Sequence, residues 1–147
     1  MQKNRNRILA LLKTEELSKL SHHFREVSIE QGQLLEERGQ RVDSVHFPQT
    51  GMISLIVEIP EDRSLEVGTV GFEGAVGITA CLGSRISSVS ALVQVSGTSL
   101  CISASRFRAF CGACLFVRAA IGLFSKPTSV TSGGSHVTGA SQKKAPA

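Results

Sequence analysis

The spacing of apolar residues changes twice along this chain. Ile8 to Leu12 reads as a short amphipathic helix. Thr14, followed by Glu15 and Glu16, predicts the cap and acidic first turn of a second helix, whose stripe is Leu17, Leu20 and Phe24. From Val27 the period shortens. Val27 and Ile29 precede Gln31-Gly32, Leu34 and Leu35 precede Arg38-Gly39, and Val45 and Phe47 alternate before Pro48 and Gly51. Ile53, Leu55, Val57 and Ile59 then mark one face of a strand with a clear period of two.

Pro60 to Arg63 is a polar turn, and Leu65, Val67 and Val70 return from it, which predicts a hairpin. Leu92 to Val95, Ser96-Gly97 and Leu100 to Ser103 predict a second hairpin. Short strands at this spacing, punctuated by glycine over residues 27–103, indicate an antiparallel sandwich or barrel. Helical character returns at Ser105 to Phe110. Cys114 to Phe124 predicts a longer exit helix, ended by Gly122, Ser125 and Pro127. In the final 23 residues, Ser125 to Ala147, Ser, Thr and Gly supply eleven positions and no acid occurs. That composition buries too little to offset its ordering entropy, so the expectation is one domain over 1–124 and a disordered tail over 125–147.

Charge changes the picture only once it is located. The net charge is +4, but residues 26–124 carry seven Lys and Arg against ten acids, and the basic surplus sits in the two ends. A phosphate-tracking surface gathers its cations on one face of the folded body, so the reading is solvated basic ends. Seven Phe with no Trp or Tyr argue against stacking platforms for single strands. The apolar run after the basic N-terminus is too short for a signal peptide, and no run approaches a membrane span. A cytoplasmic protein is expected, with its four cysteines as reduced thiols.

The order of these pieces resembles the regulatory domain of the Crp/Fnr transcription regulators, of cyclic-nucleotide-binding type. The likeness is carried by Leu17-(x)2-Leu20 with Phe24 and Val27, by Gly32-(x)6-Gly39, and by Val45-His46-Phe47-Pro48-(x)2-Gly51-Met52-Ile53-Ser54-Leu55. Glu66-Val67-Gly68-(x)2-Gly71-(x)2-Gly74-(x)2-Gly77 and Ile102-Ser103-Ala104-(x)2-Phe107 continue it, so that it spans roughly residues 8–124. The resemblance implies a mainly β fold, an antiparallel β-roll or jelly roll with flanking helices, and a ligand cassette around Gly71 to Ala91. In the family a Gly-Glu pair binds ribose and an Arg-Ser/Thr pair binds the cyclic phosphate, as bidentate recognition of an anion requires. Here Ile78 follows Gly77 where the acid belongs, and Ser87, followed by Ser88, stands where the arginine belongs. Arg85 is two positions away, and Glu73 is a further pocket candidate. High-affinity binding of cyclic AMP or GMP is therefore not expected, and the effector is unknown.

The remaining constellations favour bland readings. Cys111-Gly112-Ala113-Cys114 has redox or half-zinc spacing, but Cys81 and Cys101 lie singly in strand-like runs, so all four read as structural or incidental thiols. His22, His23 and His46 form no H-x-H. Gly71 to Gly77 lacks the G-K-[ST] ending of a phosphate loop, and there is no G-x-S-x-G elbow. No enzyme activity, metal or cofactor is expected. The resemblance also implies a dimer through Cys114 to Phe124, either with itself or with an intact regulator. With no helix-turn-helix pattern after it, the chain reads as a truncated regulator without specific DNA binding and without a membrane partner. The competing readings are a cupin-like small metalloenzyme and a ligand-free interaction module.

Overall fold

The computed structural model describes residues 4–79 and 85–113. Two short helices, α1 (Arg7–Ala10) and α2 (Thr14–Ser21), lead into seven strands: β1 (Arg25–Ile29), β2 (Leu34–Glu36), β3 (Ser44–Pro48), β4 (Met52–Ile59), β5 (Arg63–Val70), β6 (Ser90–Val95) and β7 (Gly97–Ser103). Helix α3 (Ala104–Ala113) follows β7 directly. The expected exit helix over Cys114 to Phe124 and the tail over 125–147 lie outside the described residues.

The strands form two antiparallel sheets, β1-β7-β3 and β2-β6-β4-β5. The hairpin expected around Pro60 to Arg63 is present: β4 pairs with β5 from Ile53↔Val70 to Ile59↔Arg63. Glu61 and Asp62 carry its reversal with φ of 72° and 56°, a conformation that short polar side chains tolerate best.

The second expected hairpin is corrected by the structure. β6 pairs with β2 and β4, whereas β7 pairs with β1 and β3, so Ser96 carries the chain from one sheet to the other. The turn from β3 to β4 changes sheet at the same corner. Gly51 sits there with φ +87°, and a Cβ on it would stand 2.5 Å from the Val95 carbonyl oxygen. A Cβ on Gly97 would likewise run into the backbone of Thr50. Two backbones touch at this corner, and only glycine on each side permits it.

The helical lead-in is also adjusted. The cap of α1 is Asn6, whose Oδ1 accepts from Ile8 N at 3.0 Å and Leu9 N at 3.3 Å, so the helix covers Arg7–Ala10 rather than Ile8 to Leu12. Lys13 precedes α2 without a side-chain cap, and Thr14 is its first helical residue rather than its cap.

Apolar residues on the two faces of sheet β1-β7-β3 build two cores. On one face Val45, Phe47 and Ile102 pack with Ile8, Leu9 and Leu20 of the leading helices and with Phe107 of α3. Phe47 meets Phe24 and Phe107 edge to face, with centroids 5.6 and 5.4 Å away. On the other face Ile29 and Val76 meet Ile53, Val70, Ala91 and Val93 of the second sheet. The interior of the roll is this second cluster, and the ends of β2, β4, β5 and β6 surround it.

Candidate functional site

The segment expected to hold a ligand runs from Gly71 along the roll to Ala91, and the protein places its candidates on opposite sides of the wall. Gly77 is buried with φ +88°, and a Cβ there would lie 2.5 Å from the Ser44 carbonyl oxygen. Its glycine is required by close backbone packing. Ile78 is buried, but it joins the cluster under the helices rather than the space between the sheets. Glu73 is exposed and turns its carboxylate back onto Gly71 N at 2.9 Å, so it closes its own turn. Arg85 and Ser88 are exposed; Arg85 contributes a backbone carbonyl that accepts from Val42 N at 2.8 Å.

Ser87 alone among these candidates is a buried polar group. Its backbone bonds both Gln40 and Gly39, which pins this stretch to the loop after β2. Its hydroxyl donates to the Val89 carbonyl at 2.6 Å and accepts from Val89 N at 3.2 Å. The same hydroxyl bonds the Glu36 side chain. One hydroxyl hydrogen thus faces two acceptors, a peptide carbonyl and a carboxyl group.

Glu36 is the site residue that sequence reasoning missed. Paired residues of an antiparallel ladder project to the same face, and the register runs Glu36↔Ala91, Ala91↔Leu55 and Leu55↔Gly68. Ala91 is fully buried and packs with Leu55 in the inter-sheet cluster, so this row is the inner face of the roll. A register shift between Leu34 and Glu36 turns both Leu35 and Glu36 inward. Burial pushes the Glu36 carboxyl above its ordinary 4.5, and the Ser87 hydroxyl offsets part of that rise. Strict alternation from Leu35 would have placed Glu36 outside. The only sequence signal was an acid directly after two leucines in a strand too short to alternate.

A second interior polar group lies on the other sheet. His46 pairs with Cys101, and Cys101 with Arg25, which sets the three on one row. The His46 Nε2 stands 3.9 Å from the Cys101 sulfur, while Nδ1 finds no partner among the described residues. Burial first, and the charge of Arg25 second, hold this imidazole below its ordinary 6.5. Its backbone brackets Val76 through two hydrogen bonds of 2.8 and 2.9 Å, tying β3 to the approach of the cassette. His23, by contrast, is exposed and accepts from Arg106 Nη1 at 3.1 Å. The two residues rim a groove of about 320 Å³ between α2 and α3, floored by Leu20 and Phe110.

Cys101 and Cys111 are buried and form no disulfide among the described residues; Cys81 and Cys114 lie outside them. Among the described residues no three His, Cys, Asp or Glu side chains gather as a metal site would require. None of the described helices is long and apolar enough to cross a membrane.

A two-sheet roll flanked by helices, with a glycine-rich segment following β5, invites comparison with known domains. The model of the cyclic nucleotide-binding domain matches residues 26–114. The chain belongs to that family.

Solved structures share the roll of this cyclic nucleotide-binding domain at low identity. The N-terminal domain of a transcriptional regulator from Streptomyces coelicolor superposes with a TM-score of 0.65 at 17% identity, covering 92% of this chain and 91% of that one. A putative cyclic nucleotide-binding protein from Geobacter metallireducens gives 0.68 at 15%, covering 94% and 99%. The c-di-GMP responsive global regulator CLP from Xanthomonas campestris gives 0.67 at 19%, covering 84% and 63%. No curated protein matches the chain. The mainly β roll with flanking helices and the cyclic-nucleotide-binding kinship, both expected from sequence, are confirmed.

Proposed function

We propose that this cyclic nucleotide-binding domain is the ligand-sensing, non-enzymatic half of a cytoplasmic Crp/Fnr-type regulator, with an effector other than cyclic AMP or cyclic GMP. The observation that carries the reading is the substitution of the family's anion grip inside an intact roll. Where the resemblance places an arginine stands Ser87, buried and already bonded to Val89 and Glu36. Where it places an acid stands Ile78, packed away under the helices. Each charge-assisted hydrogen bond is worth about 1.5–3 kcal/mol, so losing both removes roughly two to four decades of affinity.

Signalling would run from the cassette through α3 into the segment that follows it, with a partner chain or a second copy receiving the change. The CLP regulator, described as responsive to c-di-GMP, illustrates that the same roll serves effectors beyond the cyclic mononucleotides. Isothermal titration with cyclic AMP and cyclic GMP tests the central point. The expected result is no binding tighter than about 100 μM, given the decades lost above. Micromolar binding of either nucleotide overturns the proposal.

A further inference from the structure

We infer that the groove between α2 and α3 docks an acidic amphipathic helix of a partner protein, which seats an apolar side chain on Phe110 and carboxylates on Lys19 and Arg106. The groove lies on the helix side of sheet β1-β7-β3, apart from the roll interior, so the inference holds whatever effector the roll takes. Its chemistry is one-sided. The rim is Lys19, His23 and Arg106, all exposed. A guanidinium has only N–H groups to offer, so the His23 Nδ1 that lies 3.1 Å from Arg106 Nη1 must accept, which leaves the ring's Nε2–H as a donor. The Lys19 ammonium and the remaining N–H groups of Arg106 are donors too, so every unspent polar group on this rim donates. The acids of α2, Glu15 and Glu16, belong to its first turn and do not line the groove. Among the described residues neither Lys19 nor Arg106 pairs with a carboxylate, and α3 contains two arginines and no acid.

The floor is apolar. Leu20 is buried at its base, Phe110 is half-buried and Ala109 is exposed, and the helical spacing of Arg106, Ala109 and Phe110 sets them on one face of α3. At about 320 Å³ the groove has room for an anchoring side chain, at the lower limit of the roughly 300–1,000 Å³ typical of small-molecule sites. An apolar stripe flanked by acids, as on an amphipathic helix, answers both floor and rim. The chain itself does not supply it. Residues 114–147, which continue from α3, contain no Asp or Glu, so they bring no side-chain carboxylate to these donors. Two copies docked groove to groove about a twofold axis would set Lys19 and Arg106 against their own counterparts, cation facing cation. A nucleic-acid duplex answers the rim but not the floor, because it lays charged phosphates over Ala109 and Phe110.

The test is fluorescence anisotropy of labelled probes with the full chain at low ionic strength. The probes are a model amphipathic helix with Leu and Phe on one face and Glu beside them, the same helix with Gln for Glu, the same with Lys for Glu, and a DNA duplex. The acidic helix is expected to bind, more weakly as salt rises, and the Gln helix about tenfold more weakly. Lys19→Glu combined with Arg106→Glu, both at exposed positions, should keep the parent's urea midpoint and reverse the preference, so that the Lys helix binds and the acidic helix does not. Ala109→Gln, which puts a polar side chain on the floor without changing charge, should weaken the acidic helix about tenfold. An acidic helix that binds no better than the Gln helix, or a double variant whose preference is not reversed, overturns the inference. Tighter binding of the duplex than of the acidic helix also overturns it and makes the rim a phosphate contact. Self-association of the full chain that the double variant abolishes overturns it in favour of a second copy. None of these outcomes bears on the effector reading, which stands or falls by titration with the cyclic nucleotides.

Discussion

Asn6 is a single side chain that joins three parts of the domain, and its removal gives a sharp test of how the roll is closed. It is fully buried. Its Oδ1 caps α1 by accepting from Ile8 N and Leu9 N, while its Nδ2 donates to the Pro48 carbonyl at 3.0 Å and the Gly74 carbonyl at 2.8 Å. Losing an Asn cap costs about 1 kcal/mol. Stripping donors from two carbonyls adds about 1–3 kcal/mol each where water cannot replace them, and less at the half-buried Gly74. Asn6→Ala is therefore expected to destabilise by about 3 kcal/mol, a large part of the 5–15 kcal/mol typical of a domain.

Asn6→Asp discriminates between the two roles. Aspartate caps helices as well as asparagine does, so a pure capping role leaves this variant unchanged. The amide role requires it to lose at least about 2 kcal/mol, because a carboxylate would face two carbonyl oxygens. Urea titrations followed by far-UV circular dichroism at pH 7 measure both, with equal m-values confirming that only stability has moved. An Asn6→Asp protein within about 0.5 kcal/mol of the parent refutes the amide role, since that is the ordinary scatter of surface substitutions.

Other expectations follow from buried titratable groups and tight glycines. The raised Glu36 carboxyl contributes stability that is complete below 4.5 and lost as pH rises through its folded value, so Glu36→Gln should stabilise at pH 7 and show no gain at pH 4 in the same titration. His46 has the opposite sign: its lowered value gives stability that is complete above 6.5 and lost as pH falls below it. His46→Gln should therefore flatten the decline in urea midpoint between pH 7 and 5, and an unchanged slope contradicts the assignment. Gly77→Ala should cost about 3 kcal/mol, because the left-handed backbone and the Ser44 carbonyl both oppose a Cβ. Gly39→Ala, with φ +84° but open space, should cost about 1, and equal losses would dismiss the packing term.

What the sequence disclosed and what it hid divide along the range of the interactions. Ile53, Leu55, Val57 and Ile59 revealed β4, and Pro60 to Arg63 its turn, because both signals are local and the pair is a true hairpin. Leu92 to Ser103 has the same local signature, yet its two halves join different sheets. Whether Ser96-Gly97 folds back or crosses over is decided by Thr50 and Gly51, more than forty residues earlier. Asn6 was hidden inside a basic lead-in, where nothing local distinguishes a buried amide from a solvated one. Of the cassette residues singled out, Ser87 proved to be an interior polar group, while Glu73 and Arg85 are exposed: Glu73 closes its own turn, and Arg85 is tied by its backbone to Val42. Glu36 became visible only through a ladder irregularity that no alternation rule encodes.

The crossing at Ser96 also governs the order in which the domain is assembled. β1 and β3 have β7 as their ladder partner, and β2 has β6, so the first three strands to leave the ribosome can pair with nothing until residues 90–103 are made. Only the β4-β5 hairpin is available earlier. Such a chain pays its loop-closure entropy late and all at once, which makes folding slow relative to helical domains and leaves the early strands prone to mispairing during synthesis. A nascent chain whose emerged part ends before Ser90 should be protease-sensitive apart from that hairpin, and one with Ser90–Ser103 clear of the ribosome should gain protection of both sheets.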